Sequence, residues 1–500
     1  MKRILFYFFP LFISVNFLAA QTLDDAVRYS LLEVGGTART VGIGGAISAL
    51  GADFSSLSTN PAGLATFRRS EFTFTPAFER YTIDAKLNEK GDNFSSERDK
   101  TNFNINNLGL VFVSRPLDAS WRNTAFGIGL NRRANYRQSF YFEGRSNGSI
   151  TDRWLELAQG LTPSELDGFE AGPAFDAYAI FNPSPDDNTF YQSDFVDQQD
   201  FQDTNIVVKR SQLVQRKGSM TELVFSFAGN YEDRIMIGAT LGVPIFSFEE
   251  TKTYNEVNEP LDSSILFDAL TYTERLRTTG AGVNLKVGII YRVNQMIRLG
   301  AAIHSPTGLG LDDNFTTELD YRYTDGGVSQ QNSAQSPDGT FQYRIRTPWR
   351  FIGSAGFIFG KYGFVSGEVE WVDYSSAKFN FNNTDNSGDL QYEQELNNQI
   401  KDNLQGGVNI RIGGEYAFDI FRIRGGYSWA ASPYTDGNDP VSAFSLGAGI
   451  RWQAFFMDFA FRRFLADRDY LPYRTNTAPQ QLVSLEAQRN QLMLTLGFKF

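Results

Sequence analysis

The 500-residue chain contains no cysteine and a single histidine. Without thiols there is no cysteine catalysis, disulfide staple, iron–sulfur cluster or thiolate zinc site. One imidazole is too few for a metal or haem site built on histidines. Long apolar runs are also missing: beyond the N-terminus no stretch approaches the ~20 residues a spanning helix needs. With a mean hydropathy of −0.30, this excludes a polytopic helical membrane protein. Positive charge is in deficit too, 46 Lys+Arg against 57 Asp+Glu for a net −11. No basic stripe dominates to neutralise phosphates, so no nucleic-acid partner is expected. What the chain has in quantity is 45 Phe and 45 Gly, with 15% aromatic residues overall.

Residues 1–20 read as a secretory signal peptide. Lys2 and Arg3 form a positive start, Ile4 to Val15 a short apolar stretch, and Leu18-Ala19-Ala20 a cleavage site before Gln21. The apolar run is too short to span a bilayer stably, and the absence of cysteine excludes a lipoprotein anchor. The mature chain is therefore expected outside the cytoplasm.

From residue 70 to 500 the dominant period is two, the strand signature. In the last segment Leu492, Leu494, Leu496, Phe498 and Phe500 alternate with Gln491, Met493, Thr495, Gly497 and Lys499. Val283, Leu285, Val287, Ile289 and Tyr291 alternate likewise with Asn284, Lys286, Gly288 and Arg292. Strands are predicted near 71–85, 101–115, 121–144, 206–231, 233–256, 270–292, 295–323, 339–359, 361–382, 404–417, 419–431, 441–452, 453–465 and 490–500. After the first strand the connections alternate short and long. The short ones are turns such as Phe418-Asp419, and the long ones are the polar stretches 86–100, 145–205, 324–338, 383–403 and 466–489. Short turns on one side and long loops on the other distinguish a transmembrane barrel from a sandwich. The expected fold is all-β: a transmembrane antiparallel barrel of about fourteen strands, its longer strands rising above the membrane as a charged collar.

The largest connection, 145–205, carries Trp154, Phe169, Phe175, Tyr178 and Phe181. These aromatics either pack the loop onto the collar or form a greasy surface that captures an apolar ligand. Inside the wall, Lys286, Glu368, Glu370, Arg411, Glu415, Arg422, Arg424, Arg451, Asp458 and Arg462 share the polar phase of their strands. They read as a lumen ladder of mutually paired charges. A sharper reading leaves one or two arginines free for a ligand carboxylate, which suits their bidentate geometry. His304 and Ser305 point to opposite faces of a strand, so they cannot form a catalytic dyad. No G-x-S-x-G elbow is present, and Asp312-Asp313 matches no EF-hand spacing. No catalytic residue, metal or cofactor is expected.

Residues 21–69 do not alternate and are rich in small residues, as a plug for a wide lumen would be. In Asn60-Pro61-Ala62-Gly63, proline fixes φ, asparagine caps its own backbone and glycine adds freedom, which makes a tight turn into the wall. This stretch, from Gly35 and Gly36 through Gly44, Gly45, Asp53 and the Asn-Pro-Ala triplet, resembles the N-terminal hatch of FadL-type transporters. Ile303 to Thr307, Thr347 to Arg350 and Val372 to Ser375 add weaker similarity. The resemblance implies an outer-membrane channel, in a Gram-negative cell, for long-chain fatty acids or other hydrophobic compounds. Ligand would be gathered at the outer loops and released sideways through a kinked third strand once the hatch shifts. In this sequence Gly129, Asn131, Arg132 and Arg133 interrupt the apolar pattern of that strand, where lipid-facing charge is costly. The alternative is that the strand has left the membrane by Asn131. The implied partners are a hydrophobic small molecule, membrane lipids and lipopolysaccharide, with the chain acting as a monomer. A competing reading makes the same barrel an anchor component of an outer-membrane secretion machine.

Overall fold

A computed structural model describes residues 21–88, 95–116, 120–184, 186–195, 206–259, 265–381, 387–436, 440–478 and 480–500. The expected signal peptide, 1–20, and part of the largest connection, 196–205, lie outside them. The described strands form one antiparallel sheet closed on itself. Its first members are β1 (Glu71–Leu87), β2 (Ser96–Ser114), β3 (Trp121–Asn135), β4 (Gln138–Asn147), β5 (Val207–Tyr231), β6 (Ile235–Val257) and β7 (Phe267–Arg292). Next come β8 (Ile297–His304), β9 (Gly308–Asp325), β10 (Val328–Gln335), β11 (Gly339–Arg346), β12 (Arg350–Ile358), β13 (Gly363–Asp373) and β14 (Lys378–Phe381). The circuit ends with β15 (Gly406–Phe418), β16 (Phe421–Ala430), β17 (Val441–Arg451), β18 (Phe455–Tyr470) and β19 (Val483–Lys499). β19 pairs with β1 from Lys499↔Glu71 to Val483↔Leu87, which closes the sheet on itself.

Several segments are pieces of one stave. β3 and β4 both pair with β5, β8 and β9 both with β7, β10 and β11 both with β9, and β12 with β8. β14 pairs with β11 as β13 does with β12. The nineteen segments thus make fourteen staves, the number expected. No helix among the described residues is long and apolar enough to cross a membrane.

The wall is apolar outside and polar inside, as period-two alternation requires. On β7, Val283, Leu285, Val287 and Ile289 are 43–53% exposed, whereas Asn284 and Lys286 are buried. Higher up, the order reverses. Phe267, Leu270 and Tyr272 of the same strand are buried in a large cluster with Phe140, Phe142, Trp154, Tyr254 and Tyr321, while Arg275 and Arg277 face out.

Three of the predicted long connections differ. The stretch 324–338 is mostly ladder: β9 and β10 form a hairpin that turns at Gly326 and Gly327, both with positive φ. Two left-handed residues in succession give the twist a two-residue hairpin needs. Its polar sequence reports exposure to water on the collar and not the absence of hydrogen bonding. The stretch 383–403 carries helix α5, introduced below, and β19 begins at Val483, seven residues before the predicted start.

Candidate functional site

Residues 21–67 lie within the barrel and are mostly buried. They contain α1 (Leu23–Ser30), α2 (Ala38–Gly42) and 3-10 turns at Phe54–Ser58 and Pro61–Thr66. The segment folds on itself around Asp53, which accepts hydrogen bonds from the Thr37 and Thr40 hydroxyls and the Ser55 N–H at 2.7–3.0 Å. Asn60 caps the second turn through the Ala62 N–H, and its amide donates to the carbonyls of Ser48 (2.8 Å) and Ile289 (3.2 Å). Pro61 opens that turn. A Cβ on Gly63 would collide with Ser56 and Gly51. Gly44 (φ +66) and Gly45 lie flat on the wall, where Cβ atoms at Gly413 or Gly426 would stand 2.1–2.2 Å from the Ile43 and Gly44 backbone. Only glycine on both surfaces allows this approach.

The wall charges meet the segment from below and beside it. Glu222 pairs with Lys286, and its other oxygen accepts from the Ser58 hydroxyl at 2.9 Å. Arg411 bridges Glu368 (2.6 Å) and Glu370, and Glu370 also holds Arg350 at 2.8 Å. Arg350 reaches the Ser30 carbonyl, and the Ser48 N–H donates to Glu368 at 3.2 Å. Arg424 joins Glu415 (2.7 Å) to Asp458 (2.8 Å), and Arg451 completes the row at 2.8 Å from Asp458. Arg422 lies lowest, donating to the turn carbonyls of Asp419 and Phe421, with Glu415 at 3.7 Å. His304 meets the Thr59 carbonyl at 2.6 Å; a carbonyl only accepts, so Nε2 carries the proton.

The third stave is where the wall departs from a regular ladder. β2 pairs with β3 only from Ser114↔Thr124 to Asn107↔Asn131. Beyond Asn131 the register of β3 on β5 slips between Arg132 and Ala134, and the strand breaks at Tyr136 and Arg137. β4 keeps its bonds to β5 and has none to β2. From Ser96 to Asn106, β2 therefore has a backbone ladder with β1 alone, and the third stave reaches it only through side chains, Arg132 donating to the Ile105 carbonyl and Asn135 to Asn102, each at 3.4 Å. Of the residues singled out in the sequence, Gly129 and Asn131 sit in the last paired stretch, and Arg132 and Arg133 at the slip.

Residues not anticipated from the sequence fill this gap. Asn102, Asn104, Asn106 and Asn107 of β2 are buried, a row already visible as polar-aliphatic alternation in TNFNINN. Behind them Glu33 forms a two-pronged pair with Arg489, 2.6 Å on each prong. Arg489 also donates to the Tyr81 hydroxyl (2.6 Å), which donates to the Asn135 carbonyl (3.1 Å). Gln491 and Asn135 both donate to Glu79. Arg489 lies one residue before the predicted last strand, and its inward phase is set by the longer β19.

Over the mouth, α3 (Thr151–Ala158) and α4 (Ala171–Asp176) form a cap. Trp154 is fully buried, edge-on to Tyr272 at 5.5 Å. Phe169 tilts onto Phe315 at 4.6 Å, Phe175 meets Tyr191 at 5.8 Å, and Phe181 bridges to Gln192. Tyr178 is the exception: it is 58% exposed, with φ +63. The cap is anchored by the fully buried Arg210, which donates to the Gly148 carbonyl (2.6 Å) and the Tyr473 hydroxyl (2.8 Å). Burial pushes the Asp152 carboxyl up to about 6. Beside the mouth, α5 (Ser387–Asn403) touches the segment through Tyr392, whose hydroxyl donates to the Gln21 carbonyl at 2.6 Å.

The molecule is thus a closed fourteen-stave barrel filled by its own N-terminal segment, whose third stave loses its ladder to β2 partway along. Among solved structures, a FadL homologue of Pseudomonas aeruginosa is similar over 94% of this chain and 100% of its own, at 14% identity and a TM-score of 0.55. That similarity establishes a FadL-type fold. The toluene transporters TbuX of Ralstonia pickettii (13% identity, 94% and 100% coverage, TM-score 0.47) and TodX of Pseudomonas putida (12%, 94% and 99%, 0.49) superpose less well. No family model matches the sequence, and no curated protein matches it.

Proposed function

We propose that this chain is an outer-membrane channel for the uptake of hydrophobic small molecules, with residues 21–69 as its hatch and 70–500 as its barrel. The observation that carries this reading is the missing ladder between β2 and β4. A continuous wall confines a ligand to the lumen axis; a wall with an unpaired stretch offers a sideways route into lipid. The fold neighbours fit this use, being a FadL homologue and, with weaker superposition, toluene transporters. In this reading ligand gathers at the cap, where Tyr178 is the exposed aromatic, and the hatch rearranges as ligand passes. Long-chain fatty acids are the finer reading, and lipids and lipopolysaccharide surround a monomeric barrel.

The test is uptake by a deletion strain and by proteoliposomes, using radiolabelled oleate and toluene. Deletion should slow accumulation of at least one of them, with recovery on complementation. Unchanged accumulation of both overturns the reading. A second reading, a scaffold in an outer-membrane secretion machine, draws on the dense mutual pairing of the wall charges. It predicts normal uptake and stable co-isolation with exported proteins.

A further inference from the structure

The ladder charges and the charges behind the broken stave are neutralised in different ways. Lys286, Arg411, Arg424 and Arg451 are each paired with a carboxylate of the wall itself. Arg489 and Arg462 are not: within 4.0 Å, among the described residues, the carboxylate that faces both is Glu33 of the N-terminal segment. Two wall arginines thus share one removable anion.

Their geometry is that of a built carboxylate site. Arg489 takes both oxygens of Glu33 at 2.6 Å, and Arg462 stands 3.5 Å from one of them. Both guanidinium groups lie over the Phe464 ring, at 3.8 and 4.2 Å from its centroid. The side chains of Arg489 and Arg462 are 8% and 5% exposed, so they are fixed and largely desolvated, whereas that of Glu33 is 30% exposed. A held pair of cations beside an aromatic face, with its anion still open to exchange, suits an anionic head group.

Exchange at this site would also alter the wall. The Glu33 N–H donates to the Arg133 carbonyl at 2.8 Å, at the slip in β3. Arg462 holds the neighbouring Val34 carbonyl at 3.0 Å, and a Cβ on Gly35 would stand 2.5 Å from the Arg132 carbonyl. Through Tyr81, Arg489 is linked to Asn135 at the strand break.

We propose that Glu33 is an internal surrogate for an anionic head group. It occupies the Arg489–Arg462 site in the closed barrel, and a monoanionic amphiphile that takes the site displaces it and frees residues 31–36 from β3. The proposal rests on the uptake reading and adds to it a competition that neutral hydrophobic compounds do not enter.

The experiment uses the full mature barrel in nanodiscs, with decanoate as the anionic probe and decanol as the neutral one. Glu33→Gln removes the competitor and should tighten decanoate binding by about tenfold or more, the worth of a charge-assisted contact. Decanol binding should be unchanged. Glu33→Asp should retain wild-type behaviour, and Arg489→Gln should weaken decanoate in either background. In the wild-type barrel, amide exchange of residues 31–36 should accelerate at saturating decanoate and not at saturating decanol. That second measurement decides the matter even if Glu33→Gln does not fold, as judged by heat-modifiable migration. Decanol uptake with no Glu33→Gln effect on decanoate and no change in exchange overturns the surrogate while leaving uptake standing. If neither probe binds or crosses, the uptake reading falls and takes the surrogate with it.

Discussion

The collar and the membrane belt of this barrel are built from the same staves and follow opposite rules. On β7, Phe267, Leu270 and Tyr272 turn inward at the collar while Arg275 and Arg277 face out. A few residues later Val283, Leu285 and Val287 face out and Asn284 and Lys286 turn in. The collar behaves as a soluble protein with an aromatic core closed by Trp154. The belt behaves as its inverse, with lipid taking the apolar face and the N-terminal segment taking the polar one. The difference teaches that burial in this chain is decided by the solvent each height meets, since strand geometry is common to both.

Deleting residues 21–66 should have the largest effect. It removes the partner of the polar face in the belt, and planar-bilayer conductance should rise from a closed barrel to that of a wide pore. Unchanged conductance would mean that the segment is no plug. Next come two truncations of similar cost at different heights. Glu222→Ala strands Lys286 without its counter-charge, for about 3–5 kcal/mol, and should lower the unfolding midpoint of the whole barrel. Trp154→Ala empties the collar core at about 3–5 kcal/mol, yet should show as protease sensitivity of 145–195 with the barrel intact. If both variants unfold the barrel alike, the two regions are one cooperative unit.

Charge on exposed apolar positions should separate the regions again. Val287→Arg faces lipid and should cost about 2–4 kcal/mol in urea titrations from bilayers. Val328→Arg, on the equally exposed collar hairpin, should stay within about 0.5 kcal/mol. The smallest effect is at Asp152. Its folded-state pKa of about 6 lies above the ordinary 3.8, so the folded cap binds the extra proton. Its contribution is fully present below about pH 4 and is lost as pH rises through about 6. Amide protection factors in residues 149–158, corrected for the intrinsic rise of exchange with pH, should fall over that window in the wild type and stay flat in Asp152→Asn.

Much of the fold was legible because alternation is a local property. The phase that puts Lys286, Arg411 and Arg424 inward follows from the residues beside them. The hairpin at Gly326-Gly327 was not legible, because polar residues on a solvated collar look like a loop until a partner strand satisfies their backbone. Nor was the role of Glu33, which sits in a segment with no period and meets Arg489 across 456 positions.

By itself, then, the sequence determined the class: strands of period two, an even count of fourteen, short turns opposite long connections, and a small-residue segment sized for a lumen. The closed barrel adds which neighbour the wall loses beyond Asn131, which wall arginines meet wall carboxylates, and which meet Glu33. The physical reason is that alternation is set by a strand and its solvent, one face at a time. A charge pair or an unpaired edge is set by the register of staves far apart in the chain, and that register exists only once the barrel has closed.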